Sequence, residues 1–161
     1  MEFLWAPWRL KYILSEKDED CIFCYKPKEN KDRENLVLLK GEKNLVMLNK
    51  YPYNPGHLMV APYKHVSSLD ALDDEELQEH FKLVSRCVEM LREEMNPEGF
   101  NIGINLGKVA GAGIEEHIHT HIVPRWNGDT NFMPVLGHTK VMVDELTNTY
   151  DKLKIEFNKL K

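Results

Sequence analysis

The chain is short of three things that would narrow its class at once. It has three cysteines in all, Cys21, Cys24 and Cys87, too few for a disulfide-stapled secreted scaffold. No apolar run approaches the roughly 20 residues of a membrane span, and the start of the chain lacks an apolar signal core. The expected location is therefore the cytoplasm, with no membrane partner. Positive charge is not in surplus either: 21 Lys and Arg stand against 26 Asp and Glu, a net charge of −5, and the pI is about 5.8. That balance argues against non-specific binding to a nucleic-acid polymer. It leaves open a nucleotide held in a local pocket. Internal repeats and low-complexity segments are absent too. What remains is an ordinary globular composition, 42% apolar and 29% charged over 161 residues. It suits a single domain, 1–161, with a full core.

Against that background one stretch stands out, Glu116-His117-Ile118-His119-Thr120-His121-Ile122-Val123-Pro124-Arg125. Side chains two apart in a strand point to the same face. His117, His119 and His121 would line one face about 7 Å apart, with the isoleucines turned to the core. A strand face given to three imidazoles forgoes apolar burial, whereas a plain solvated face would favour Lys, Glu and Thr. Chemistry is the better explanation.

The rest of the chain reads as α+β. Residues 1–20 form an N-terminal extension, aromatic to Leu14 and charged from Ser15 to Asp20. Leu36–Leu39 and Leu45–Leu48 read as strands around the turn Lys40–Asn44. Tyr51-Pro52-Tyr53-Asn54-Pro55-Gly56 is a loop, and His57–Ala61 a third strand. Asp73, with Glu76 three residues on, opens a long helix through a capping box. Leu77, Phe81, Val84, Val88, Leu91 and Met95 give it one apolar stripe, and Asn96-Pro97 stops it. Cys87 beside that stripe reads as a buried core thiol. His80 and His138 fall outside every motif and read as surface or packing residues. Phe100–Leu106 is a strand, followed by the glycine-rich loop Gly107–Gly113. A C-terminal helix over 144–161 carries the stripe Val143, Leu146, Tyr150, Leu153, Phe157 and Leu160. The expected architecture is an antiparallel sheet of about five strands, one long crossing helix and that C-terminal helix.

Glycines let backbone N–H groups approach phosphate oxygens closely. The loop ending Gly111-Ala112-Gly113 is therefore a candidate substrate-binding element. His57, opening its strand, is a candidate for the pocket floor or a structural histidine. Cys21-x-x-Cys24 in a cytoplasmic chain reads as a metal or redox pair, or as two reduced thiols.

His117-x-His119-x-His121 with Pro124-Arg125 resembles the signature of the histidine triad (HIT) superfamily of nucleotidyl hydrolases and transferases. Asn49-Lys50-x-Pro52-x-x-Pro55-Gly56-His57, the strand ending Ala61-Pro62 and then His65 are similar to the first half of that family. The resemblance covers Cys21 to Asp129. Trp5-Ala6-Pro7-Trp8-Arg9 and Pro124–Asp129 look more like its branch acting on diadenosine polyphosphates.

The resemblance implies a catalytic pair. His119 would be the nucleophile forming a nucleotidyl-histidine, and His121 would contact a phosphate oxygen or the leaving group. It implies that Asn49 meets ribose hydroxyls and that Asn105 holds an amide near the phosphate. It implies a structural zinc on Cys21, Cys24, His65 and His117, with no organic cofactor. It further implies a homodimer through the long helix, and an adenine nucleotide or dinucleoside polyphosphate as substrate. Relatives often carry Ser, or Gln with Thr, where this chain has Ala112 and Gly113, which leaves water and phosphate both open as final acceptor. Two other classes stay in view: a hydrolase with catalytic zinc on the His-x-His strand, and a nucleotide-binding sensor with little turnover.

Overall fold

A computed structural model describes residues 21–132, 136 and 144–159. The aromatic N-terminal segment, the linker to Asp20, Val143, Leu160 and His138 lie outside the described residues. Five antiparallel strands form one open sheet, β1 (Val37–Lys40), β2 (Asn44–Leu48), β3 (Leu58–Pro62), β4 (Gly99–Ile104) and β5 (Thr120–Arg125), in the order β1-β2-β3-β5-β4. Among the described residues the α-helices are α1 (Ile22–Tyr25), α2 (Asp74–Met95) and α3 (Leu146–Asn158). Among the described residues no helix is long and apolar enough to cross a membrane.

Alternation along the strands divides the core into two layers. Leu38, Val46, Leu48, Leu58, Val60 and Ile122 pack with Leu83, Val84, Cys87 and Leu91 of α2 and with Tyr150, Leu153 and Phe157 of α3. Val37, Leu45, Met47, Met59 and Ala61 face the other way and pack with Phe23 of α1. Each fully buried Leu or Phe contributes roughly 1.5–3 kcal/mol of transfer free energy. Cys87 is fully buried in the first layer, and burial raises its thiol far above the ordinary value.

The long helix begins as its sequence dictates. Asp73 accepts from the Glu76 N–H at 2.8 Å while the Glu76 carboxylate accepts from the Asp73 N–H at 2.9 Å. It ends at Asn96, which takes the left-handed conformation with φ 46°. Its buried face differs from the expected stripe. Phe81 is 50% exposed, while His80, Leu83 and Met90 are buried. The turn before β2 is held on the same helix, where Glu79 accepts from the Glu42 and Lys43 N–H groups, both at 2.7 Å.

Strand ends also shift. β4 stops at Ile104, so Asn105 lies just beyond the ladder. β5 starts at Thr120, not at His117. Its ladder with β3 covers only Leu58–Val60 against Ile122–Thr120. Upstream of it the Ile118 N–H donates at 2.7 Å to the Val66 carbonyl, past the end of β3. The chain there is fastened to the segment after Pro62 instead of to a neighbouring strand. Gly56 must be glycine: its φ is +75°, and a Cβ there would lie 2.6 Å from the Met95 sulfur.

His80 explains the rotated helix face. Asn44 donates its amide N–H to the Glu76 carbonyl and the Glu79 carboxylate, so its Oδ1 accepts from His80 Nδ1 at 2.9 Å. His80 Nε2 then accepts from the Thr120 hydroxyl at 2.7 Å. Both ring nitrogens are satisfied, which lets a histidine take a core position. Burial pushes the imidazole down to about 4, with Glu79 opposing the shift and His119 adding to it. The unfolded chain takes up this proton near pH 6.5, the folded chain only near pH 4. His80 therefore costs stability as pH falls from 6.5 to 4, by about 3 kcal/mol over the whole window. In urea titrations the stability of the wild type relative to His80→Gln should fall by up to that amount between pH 7 and pH 4. A difference that stays constant with pH would contradict a neutral buried His80.

Candidate active site and metal cluster

Two groups of side chains meet at His117. On one side lie Cys21, Cys24 and His65. His117 Nε2 donates to the Pro62 carbonyl at 2.8 Å, so the ring proton sits on Nε2 and Nδ1 carries a bare lone pair. That Nδ1 is 3.3 Å from Cys21 Sγ, 3.5 Å from Cys24 Sγ and 3.1 Å from His65 Nδ1. All four ligand atoms lie within 4.8 Å of one another. Metal–ligand bonds of about 2.0–2.3 Å in a tetrahedron place ligand atoms about 3.3–3.8 Å apart, so the set fits one zinc-sized ion. Burial, with Cys24 beside it, pushes the Cys21 thiol up, and a divalent cation is the kind of neighbour that would deprotonate it. Two imidazoles and two thiols fill four positions and leave none for water. His119 is not a member of this cluster.

On the other side lie the remaining histidines. His119 Nδ1 donates to the His117 carbonyl at 2.8 Å, which leaves Nε2 with its lone pair. The ring is buried, and burial lowers its pKa, offset in part by that carbonyl. Phe23 covers both rings, its centroid 5.1 Å from His117 and 4.9 Å from His119. The histidine face is thus roofed by α1 and not simply open to solvent.

His121 is oriented by a relay. The Tyr53 N–H donates to His57 Nδ1 at 3.1 Å, so the His57 proton belongs on Nε2. His57 Nε2 donates in turn to His121 Nδ1 at 2.9 Å. That assigns the His121 proton to Nε2, where the ring presents a donor. The Tyr53 ring stacks on His57 with centroids 4.9 Å apart. His119 therefore offers a lone pair and His121 a proton, with ring centroids 4.7 Å apart.

The HIT domain profile matches residues 30–128. The chain belongs to the HIT domain family. The AP-4-A phosphorylase of Mycobacterium tuberculosis is 38% identical, covering 98% of this chain and 85% of its own length. A bis(5'-adenosyl)-triphosphatase of Dictyostelium discoideum is 31% identical over 58% of this chain and 62% of its own. A solved Zn-bound histidine triad family protein from Mycobacterium smegmatis superposes with a TM-score of 0.69 at 26% identity, covering 88% of this chain and 95% of that one.

The other residues read from the HIT signature sit as follows. The Asn49 N–H donates to the His57 carbonyl at 2.8 Å, and its Oδ1 accepts from the Tyr51 N–H at 2.9 Å. Its amide nitrogen lies 3.4 Å from the His57 ring. Ile104 pairs with Thr120, which brings Asn105 alongside His119. Asn105 reaches the Gly111 carbonyl at 3.4 Å and so braces the loop. Within that loop the Gly111 N–H donates to Lys108 at 3.0 Å and the Ala112 N–H to Gly107 at 3.4 Å. Those two donors close turns inside the loop, and Gly113 follows as the chain leaves it. Arg125 makes a two-point ion pair with Asp129 and donates to Asn101, while Asn54 donates to Asp129 at 2.7 Å. Arg125 beside it holds the Asp129 carboxyl well below the usual range.

Sequence reasoning missed Phe23 and Tyr53. Phe23 could have been suspected from its place between two cysteines; Tyr53 carried no periodic signal in its proline-bounded loop. Replacing Phe23 by Ala removes a fully buried ring and should cost about 3–5 kcal/mol of stability in chemical denaturation. A loss below about 1 kcal/mol would show that the ring does not seat α1 on the histidines.

Proposed function

We propose that this HIT-family enzyme splits dinucleoside polyphosphates of the diadenosine tetraphosphate type through a nucleotidyl-histidine intermediate. The observation that carries the reading is the His119–His121 pair, one ring fixed with a free lone pair on Nε2 and the next fixed with a proton there. Neutral imidazole is a competent nucleophile toward phosphorus near pH 7. His119 Nε2 bonds to the α-phosphorus as the bond from that phosphorus to the bridging oxygen breaks. His121 gives its Nε2 proton to the departing oxygen, and the nucleoside triphosphate leaves. Phosphate or water then attacks the same phosphorus and returns a proton to His121, giving ADP or AMP and restoring His119. The likeness to an AP-4-A phosphorylase over 98% of the chain supports phosphate as the acceptor. On this reading Asn49 and His57 border the nucleoside, and Asn105 with Gly111, Ala112 and Gly113 border the phosphates.

Zinc is the proposed occupant of Cys21, Cys24, His65 and His117, in a structural role. When bound, it supplies a cross-link between α1 and the chain entering β5. The proposed partner in solution is a second copy, since Phe81 on α2 and Ile102 on the edge strand β4 leave apolar surface exposed on the helix face of the sheet. A cytoplasmic setting, which keeps thiols reduced, is the matching location.

His119→Ala should lower turnover of diadenosine tetraphosphate by several orders of magnitude while AMP binding, followed by calorimetry, changes little. Chromatography of wild-type products with and without inorganic phosphate should give ATP and ADP with it. Near-normal turnover by His119→Ala would refute the covalent route. Separately, protein purified without chelators should carry one zinc per chain by elemental analysis. Cys21→Ser should lose it and melt at lower temperature; metal-free wild type would remove the zinc assignment.

A further inference from the structure

Thr120 is the first residue of β5, and both ladders of that strand end on it. Toward β3 the last pair is Val60 with Thr120, and toward β4 it is Ile104 with Thr120. His119 is the next residue out, so it stands just beyond the paired part of the sheet. Backbone at the end of an element frays more readily than backbone inside it. Upstream, the His119 ring is held by the His117 carbonyl. Downstream, His119 is held through its covalent neighbour, Thr120.

Thr120 in turn is held from the helix layer. Its side chain lies on the face of Val60 and Ile122, both buried and apolar, where a valine would fill much the same space with no polar atom to satisfy. The chain instead buries three polar side chains together, Asn44, His80 and Thr120. His80 Nε2 accepts from the Thr120 hydroxyl at 2.7 Å, Asn44 Oδ1 accepts from His80 Nδ1 at 2.9 Å, and Asn44 Nδ2 donates to the Glu79 carboxylate at 3.0 Å. Asn44 is on β2 and Thr120 on β5, with β3 between them. The imidazole therefore bridges two strands that do not pair with each other. The turn before β2 does not need this bridge, because Glu79 already holds it through the Glu42 and Lys43 N–H groups. Buried polar groups cost stability unless bonded; what a fully bonded network adds over apolar packing is one fixed arrangement.

The linkage has little slack. Thr120 is β-branched, and its hydroxyl sits on Cβ, so anchoring the hydroxyl anchors the backbone. His80 is bonded at both ring nitrogens, which fixes the turn of its ring. The peptide joining His119 to Thr120 moves only with this chain of contacts. We propose that Thr120 and His80 are positioning residues: through the Thr120 hydroxyl, α2 fixes where His119 stands for its attack on phosphorus. The inference rests on the reading of His119 as nucleophile and adds what aims it.

The full chain carrying Thr120→Val, Thr120→Ser or His80→Leu, and the Thr120→Val/His80→Leu pair, test this on diadenosine tetraphosphate. Misplacing a reacting group by about 1 Å costs up to about 10²-fold in rate. Thr120→Val removes the hydroxyl and should lower kcat by about tenfold or more, with KM and AMP affinity within about threefold of wild type. Thr120→Ser keeps the hydroxyl and should hold kcat within about threefold of wild type. A purely structural role predicts the reverse order, since valine suits a buried strand better than serine. His80→Leu should lower kcat as Thr120→Val does, and the pair should fall no more than about threefold below the lower single, because both remove one contact. If His80→Leu does not fold, the Thr120→Val and Thr120→Ser proteins carry the test alone. A Thr120→Val protein with wild-type kcat overturns the proposal, as does a Thr120→Ser protein that loses as much as Thr120→Val. Losses that multiply in the pair overturn the part given to His80. A wild type inert on diadenosine tetraphosphate refutes the substrate reading, and this inference with it; an active wild type with an equally active Thr120→Val protein refutes this inference alone.

Discussion

The bonds of His117 are the constraint on which the site depends. Its Nε2 proton is tied to Pro62 at the end of β3, its Nδ1 faces two thiols and a second imidazole, and its carbonyl accepts from His119. One residue thereby fixes three relations: where the chain enters β5, which nitrogen faces the cysteine pair, and which tautomer the next histidine adopts. These are not independent. Rotating His117 to free its Nδ1 would draw Nε2 off Pro62, and moving its carbonyl would release the His119 ring. The lone pair of His119 stays on Nε2 only while Nδ1 donates to that carbonyl, so the tautomer is set by backbone that the Pro62 bond holds.

The sheet beneath is covered on both faces, but by different means. Among the described residues, one face is closed by two long apolar helix surfaces, the other by the single turn of α1 with Phe23 and by Ile114. A four-residue helix cannot hold itself together in water. Its position depends on Phe23 and on Cys21, which precedes it, and Cys24 within it. That makes the roof over His117 and His119 the part of the fold most sensitive to what the four-residue cluster holds. On the opposite face, Thr120 sits between His119 and His121 and is bonded to His80 of α2. The strand carrying His119 and His121 is pinned from behind by a polar contact and covered in front by an aromatic one.

Much of this was legible in the sequence, because the informative side chains carry distinctive chemistry at strand spacing. The alternation of His119, Thr120, His121 and Ile122 between faces follows directly from the two-residue period, as do the capping box at Asp73 and the stop at Asn96-Pro97. What local patterns could not carry was anything decided by a distant partner. Hydropathy ranks Phe81 as core and leaves His80 as surface or packing; the fold exposes the first and buries the second because His80 finds acceptor and donor on residues 36 and 40 positions away. The strand expected from His117 starts at Thr120 because a carbonyl beyond β3, at Val66, captures the Ile118 N–H. The glycine loop reads as a source of phosphate donors, yet three of its N–H groups, those of Ala110, Gly111 and Ala112, close its own turns. Backbone groups look alike in a sequence, and only the fold says which are already spent.

The orientation of His121 is the last step of the same argument. Its ring is held by a relay that begins at a backbone N–H in a proline-bounded loop, a rigid origin with little freedom to rotate. The proposed reaction asks for a proton donor fixed in direction. A relay that starts from backbone fixes the ring and its tautomer together, as the His117 carbonyl does for His119. The two imidazoles are thus set by main-chain groups on different segments, and neither depends on a mobile side chain for the nitrogen it presents.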